Sequence, residues 1–225
     1  MKLKLKSNFF ELWHAAFDSE GLEFRLMTNE GPNRIEMFNL FRKLGILTPL
    51  FGKHGDFIRF KYDVDRYVVI YDDINMHFGE KKRLVRFRDI VNEDKNKYMS
   101  EYIENIQTLF TDYISKSTRL LCVGDACFQY DYRSYTDWRS NNGRVFISDP
   151  IRVDLPRWRH EVSYPMFAID FVGEPHCLRA IDFNCAPGVT GVKLGLSSSE
   201  MVLLIKMWYA KYFSNKETDG SSSNN

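Results

Sequence analysis

The sequence lacks the features that would commit it to a membrane, a disulfide framework or a polyanion. No apolar stretch approaches the roughly 20 residues of a membrane span, and the longest candidate, 201–208, is interrupted by Lys206. Formal net charge is only +1, from 31 Lys and Arg against 30 Asp and Glu. A chain built mainly to neutralise a phosphate backbone would be far more basic. The four cysteines, Cys122, Cys127, Cys177 and Cys185, form no CxxC pair and lie in or beside apolar runs. Reduced, buried thiols in a cytoplasmic protein are expected from them. The basic start, Met1-Lys2-Leu3-Lys4-Leu5-Lys6, is too short and too broken for a signal peptide. No internal repeat is visible.

What is present suits a globular protein. The 225 residues are enough for one domain or two small lobes sharing a cleft. Hydrophobic residues make up 44% and charged residues 27%, so an ordinary core is available. The spacing of Ile35, Met37, Phe38, Leu40, Phe41 and Leu44 predicts a helix over 33–44, closed by Gly45. Strands are expected over 57–61, 67–71 and 84–90, with a polar loop between the last two. Asn92 reads as the cap of a charged amphipathic helix to about 106, and 109–114 is a short apolar run. A strand pair turned at Gly124-Asp125 spans 119–132, and an irregular polar loop spans 134–154. Two further strands cover 165–172 and 177–183. Ser197 and Glu200 form a capping-box pattern opening a last helix to about 213. The Ser- and Asn-rich end reads as disordered. Hairpins mixed with helices give an α+β class.

The strands at 165–172 and 177–183 carry the chemistry. If they form an antiparallel hairpin turned at 173–177, Asp170 falls opposite Asp182, and Asn184 shares a face with Asp182. Ile169, Phe171, Ile181 and Phe183 then face a core. Two like charges opposed on neighbouring strands destabilise a sheet, so something must offset them. A hard divalent ion does so by taking oxygen ligands. Arg133, Arg139 or Arg179 offers the structural alternative.

Asp170 and the run Ala180-Ile181-Asp182-Phe183-Asn184-Cys185-Ala186-Pro187-Gly188 resemble the closing motif of ATP-grasp enzymes, with Asp182 where Glu is usual. Val123-Gly124-Asp125, Arg133-Ser134 and Asp137-Trp138-Arg139-Ser140-Asn141 are similar to the branch holding glutathione synthetase and the ribosomal-protein glutamate ligases. The similarity spans 33 to about 213 and is strongest over 119–191. It implies two small α+β lobes with a nucleotide cleft between antiparallel sheets. The first lobe and its glycine-containing loop would cover about 33–114, and the second about 115–213. Residues 1–32 would be a remnant of a larger N-terminal domain, and 214–225 a disordered tail. It further implies ATP and Mg²⁺, with Mn²⁺ as a substitute, in a carboxylate–amine ligase working through an acyl phosphate. Its metal ligands would be Asp170, Asp182 and Asn184. Arg139, Arg133 and Asn141 would serve the transferred phosphoryl group and the acyl phosphate. The alternative is a nucleotide-binding or protein-interaction module without turnover.

The remaining site positions carry weaker signals. The loop over the phosphates would be 76–82, with Gly79 its one glycine. Lys61, Lys81 and Lys82 are the lysines within reach of a nucleotide, each equally readable as a solvated surface residue. Thr111-Asp112-Tyr113-Ile114 matches the hinge against which adenine lies. The rival Glu101-Tyr102-Ile103 reads as part of the helix from Asn92. Phe9, Phe10, Leu12, Trp13 and Phe17 read as core packing. Substrates would be small-molecule or peptide carboxylates and amines, with a partner protein supplying recognition that a missing front domain would otherwise provide. Neither a membrane nor a nucleic acid is expected as a partner.

Overall fold

The computed structural model describes residues 2–5, 23–26, 31–75, 81–104, 114–185, 187–189 and 192–219. Strands β1 (Lys2–Leu5) and β2 (Glu23–Leu26) pair in parallel. The apolar cluster from Phe9 to Phe17 lies outside the described residues, as does Gly79.

Helix α1 (Arg34–Lys43) forms where its periodicity predicts, and its ends explain its limits. The Asn33 side chain accepts from the N–H groups of Ile35 and Glu36, and Glu36 accepts from the Asn33 N–H at 2.9 Å. Gly45, at φ +68°, supplies the left-handed residue just past the end. Met37, Phe38 and Phe41 are fully buried.

Two antiparallel sheets follow. The smaller runs β3-β6-β4-β5, from β3 (Phe51–Gly52), β4 (Tyr67–Tyr71), β5 (Lys82–Arg86) and β6 (Met99–Glu101). The larger runs β10-β8-β7-β11-β12, with β9 also on β8. Its strands are β7 (Ser115–Val123), β8 (Ala126–Ser134), β9 (Val145–Ile147), β10 (Ile151–Val153), β11 (Met166–Val172) and β12 (Arg179–Asn184). Period-two alternation divides the apolar residues among three cores. Val69 and Tyr71 join α1 and the Phe167, Ile169 and Phe183 side of the large sheet. Val68 and Ile70 face Phe57 and Phe87 on the opposite side of the small sheet. Leu121, Val123 and Ala168 pack under α3 (Ser198–Asp219) through Met201, Val202 and Ile205. Ser197 and Glu200 cap that helix reciprocally. Among the described residues no helix is long and apolar enough to cross a membrane.

Several local expectations are overturned. Residues His54–Arg59 form a short helix, α2, rather than a strand, because Asp56 caps the Lys53 N–H at 2.8 Å and only Phe57 is buried. The strand expected over 84–90 ends at Arg86 and passes into a 3-10 turn, Phe87–Asp89. The helix expected from Asn92 is a 3-10 turn, Asn92–Asp94, followed by β6. Its charges serve tertiary pairs instead: Arg83–Asp94 at 2.8 Å, Lys97–Asp72 at 2.7 Å and Lys97–Asp94 at 2.9 Å. The loop expected over 134–154 contains β9 and β10. Helix α3 runs past 213 to Asp219, into the expected disordered tail. Cys122 and Cys127, expected as free thiols, are opposed across the β7–β8 turn and joined as a disulfide. A two-residue turn at Gly124-Asp125 brings them together, a geometry that a search for CxxC misses.

The buried Arg159 ties this turn to the start of β11. It donates to the carbonyls of Gly124 and Val162 at 3.0 Å and of Pro165 at 3.3 Å, and its guanidinium lies on the Phe167 and Trp208 rings.

Candidate nucleotide and metal site

The hairpin register is the one the sequence predicts. Ala168 pairs with Asn184, Ile169 with Phe183 and Asp170 with Asp182, before a bulge shifts Phe171 to Ala180. Strand β7 lies on the other side of β11, and its Arg119 pairs with Asp170. Arg119, Asp170 and Asp182 thus form a row across three strands. Arg119 Nε and Nη2 grip both oxygens of Asp170, at 2.6 and 2.8 Å. The two groups are 7% exposed each.

Asp182 has its own arginine. Arg34 Nη1, at the start of α1, donates to Asp182 Oδ1 at 2.6 Å, and the Phe183 N–H donates to the same oxygen at 3.1 Å. Arg34 is fully buried, and its guanidinium lies 5.3 Å over the Tyr71 ring. Burial pulls its pKa down, but Asp182, Tyr71 and Asp170 outweigh that and hold it above its ordinary value. Arg119 is raised for the same reason, Asp170 overcoming burial. The like-charge opposition is therefore offset by Arg119 and Arg34. The three arginines named from sequence point elsewhere: Arg133 pairs with Asp131 at 3.3 Å, Arg139 with Asp137 at 2.8 Å and Arg179 with Glu101 at 2.9 Å.

These groups border an open cleft between the two sheets, enclosing about 800 Å³ with the solvent at its mouth. Asp170 and Asp182 line it together with Arg139, Asn141 and Lys82. Lys82 lies opposite Tyr71 in the β4–β5 pair, its ammonium 6.0 Å over that ring. Burial first, and Arg34 beside it second, push this half-buried ammonium down to about 8. Arg139 and its loop are set by Asp137, which accepts the Arg139 N–H, Nε and Nη2 and the Asn142 amide. These bonds, led by Arg139, hold the Asp137 carboxyl well below the usual carboxylate range.

Glu101, Tyr102 and Ile103 leave β6 along the cleft wall. Glu101 is anchored by Arg66 at 3.0 Å and Arg179 at 2.9 Å. Tyr102 meets Trp138 edge-on at 6.1 Å across the cleft. These are the residues the helix reading had absorbed. The other hinge candidates, Thr111, Asp112 and Tyr113, lie outside the described residues, and Ile114 is off the cleft with its N–H on Ser134. Lys61 is exposed at the end of α2, and Lys81 is exposed beside the cleft strand. Arg133 also lies off the cleft, under Phe146.

The donor set suits Mg²⁺ in kind: two carboxylates and a carboxamide, all hard oxygen donors, grouped on one hairpin. Among the described residues no three His, Cys, Asp or Glu gather as a metal cluster, so an ion here would rely on Asn184 and on ligands from outside the chain. Each Asp170 oxygen takes one guanidinium N–H and retains a lone pair. In charge, however, both carboxylates are already matched. The residues fit an ion that brings anionic ligands with it.

No protein-family model and no curated protein matches this sequence. Solved structures do match in shape. D-alanine–D-alanine ligase from Bacillus anthracis, complexed with ATP, is 12% identical with a TM-score of 0.52, over 90% of this chain and 75% of that one. An ATP-grasp ligase associated with a ribosomally made peptide, from Chryseobacterium gregarium, was solved with ADP and a leader and core peptide. It is 14% identical with a TM-score of 0.53, over 90% and 71%. A RimK-domain ATP-grasp protein from Sphaerobacter thermophilus is 10% identical with a TM-score of 0.51, over 93% and 100%. The fold of this chain is the ATP-grasp fold.

Proposed function

We propose, from the ATP-grasp fold and the chemistry gathered in its cleft, that this chain is an ATP-dependent carboxylate–amine ligase. The observation that carries the reading is that Asp170, Asp182, Lys82, Arg139 and Asn141, contributed by four separate segments, line one cleft beside the Glu101–Ile103 wall. Two lobes, 33–114 and 115–213, meet there. Adenine lies along Glu101, Tyr102 and Ile103, whose apolar neighbours Val69 and Val172 suit a base. Lys82 takes the phosphates. Asp170, Asp182 and Asn184 would hold Mg²⁺, or Mn²⁺ in its place, which supplies charge neutralisation across the phosphates when bound.

The chain's own residues align the partners. Arg139, fixed by Asp137, faces the oxygens that gain charge as the γ-phosphoryl group passes to a substrate carboxylate, and Asn141 orients that group. The products of this step are an acyl phosphate and ADP. An amine then attacks the acyl carbon, forming the amide and releasing phosphate and a proton. The Chryseobacterium ligase, crystallised with a peptide, supports a peptide or small-molecule carboxylate as substrate. A relation to the glutathione synthetase and ribosomal-protein glutamate ligase branch rests on the motif at 133–141.

A second reading, a nucleotide-binding or interaction module without turnover, is favoured by the arginines already matched to both carboxylates. Calorimetric titration of ATP, with Mg²⁺ and with chelator, tests the nucleotide site, and no binding to the wild type would sink the ligase and leave only an interaction module. Release of ADP and phosphate that depends on an added amine identifies the ligase. ATP binding with no such release across an acceptor screen favours the module.

A further inference from the structure

We infer that Arg34 and Arg119 are resident counter-cations of the carboxylate pair, and that through them the cleft takes a divalent ion only together with a phosphate-bearing ligand. The inference deepens the nucleotide reading above and rests on it for the identity of that ligand.

The geometry leaves little room for an ion alone. Asp170 commits one lone pair of each oxygen to a bidentate grip from Arg119, which neutralises its charge. Asp182 is the carboxylate on which the buried Arg34 depends: among the described residues the Arg34 guanidinium meets that oxygen, the Ile181 carbonyl, the Met37 sulfur and the Tyr71 ring. Arg34 Nε and Nη2 are buried without an acceptor, so its charge is held by Asp182 rather than by a wider network. Lys82 adds a third cation facing the same cleft, with no carboxylate in salt-bridge range among the described residues. Two carboxylates thus meet three cations before any ion arrives. A bare divalent ion would raise an already positive cleft further, at short range and in partly excluded solvent. A triphosphate, carrying close to four negative charges, reverses that balance and lends the ion oxygen ligands the protein does not provide. Arg34 and Arg119 touch the ligating groups rather than the substrate and are positioning residues.

The test uses the full chain and Mn²⁺ as the probe, following loss of the free-ion electron paramagnetic resonance signal. Titrations are run with the ion alone and with a non-hydrolysable ATP analogue. The wild type should bind Mn²⁺ at least tenfold more tightly with the analogue than without. Arg119→Gln and Arg34→Gln should each tighten binding of Mn²⁺ alone by roughly tenfold, the scale of outer-sphere effects on metal sites. Arg119→Lys and Arg34→Lys keep the charge and should behave as wild type, which a purely structural role for these arginines does not predict. Near-ultraviolet circular dichroism identifies folded variants, and Arg119→Gln carries the comparison where Arg34→Gln does not fold. Where the analogue binds, equal affinity of the protein for Mn²⁺ with and without it overturns the inference, as does a folded Gln variant with unchanged affinity for Mn²⁺ alone. If the analogue fails to bind at all, the nucleotide reading falls, while tightening in the Gln variants still upholds the counter-cation role.

Discussion

Replacing Asp182 by alanine should damage the fold before it says anything about a ligand. Arg34 is 0% exposed at its side chain and Asp182 18% exposed, and the bond between them is 2.6 Å. Removing one partner of a buried pair costs about 3–5 kcal/mol, chiefly by stranding the other charge. The two halves are unequal. Asp182→Ala strands a fully buried guanidinium whose Nε and Nη2 already lack acceptors. Arg34→Met strands a carboxylate that still reaches solvent, so its cost should be smaller, about 1–3 kcal/mol. The double variant strands neither charge and should resemble Arg34→Met alone, giving a coupling energy equal in size to the Asp182→Ala cost, about 3–5 kcal/mol. Equilibrium urea denaturation without nucleotide measures all three variants, with the m-value checking that the unfolding transition is unchanged. Additive single-variant losses, or an Asp182→Ala cost under about 1 kcal/mol, would refute the pairing as an energetic unit. The cycle also bears on ligand work, because loss of ATP binding in Asp182→Ala alone confounds a lost ligand oxygen with an unfolded cleft.

Two further outcomes are expected. Gly124→Ala should destabilise by roughly 2–5 kcal/mol in the same denaturation assay, since Gly124 sits at φ +58° and an added Cβ would strike the Leu204 carbonyl of α3. Lys82 is depressed to about 8 from 10.5, so between these values the unfolded chain binds more protons and this group's contribution to stability rises with pH, its full cost lying below pH 8. ATP affinity should move the opposite way, falling as pH is raised from 7 to 9.5 and the ammonium is lost. Calorimetry on the wild type and on Lys82→Met checks this, the variant showing a flatter profile.

The elements legible in the sequence were those whose evidence is local. Helix α1 carries its cap, its stripe and its stop within the thirteen residues from Asn33 to Gly45, and α3 its capping box. The β7–β8 hairpin is closed by a two-residue turn, so its register follows from the turn. In β11–β12 the strands are as predicted, and a bulge after Asp170 restores the Asp170–Asp182 pairing that the turn alone would shift by one. Where the evidence was tertiary, the reading failed. The 92–97 charges look like the solvated face of a helix, yet Asp94 and Lys97 are held by Arg83 and Asp72 from β5 and the end of β4. Met99, Ser100 and Glu101 are all buried in the small sheet, which no local period records. The same misreading hides Glu101-Tyr102-Ile103, which line the cleft rather than continue a helix from Asn92.

The carboxylate pair divides in the same way. Its Asp170–Asp182 opposition is reached through the bulge after Asp170, and opposed like charges demand a cation whatever the rest of the chain does. Which cation answers is a long-range matter: Arg119 is 51 residues from Asp170, and Arg34 is 148 from Asp182. Arg133, Arg139 and Arg179 were nearer in sequence and attractive for that reason, but each has a carboxylate closer in space. One signal of the true partner was nevertheless present. Arg34, Met37, Phe38 and Phe41 occupy one helical stripe at spacings of three and four, and the last three are the apolar face of α1. A guanidinium on that stripe must be buried with the others, and a buried guanidinium requires acceptors, of which a carboxylate alone also matches its charge. The hairpin had a carboxylate in excess and the helix a cation in excess. Matching the two unbalanced faces predicts that α1 packs on β12, as Phe41 against Phe183 does at 6.4 Å.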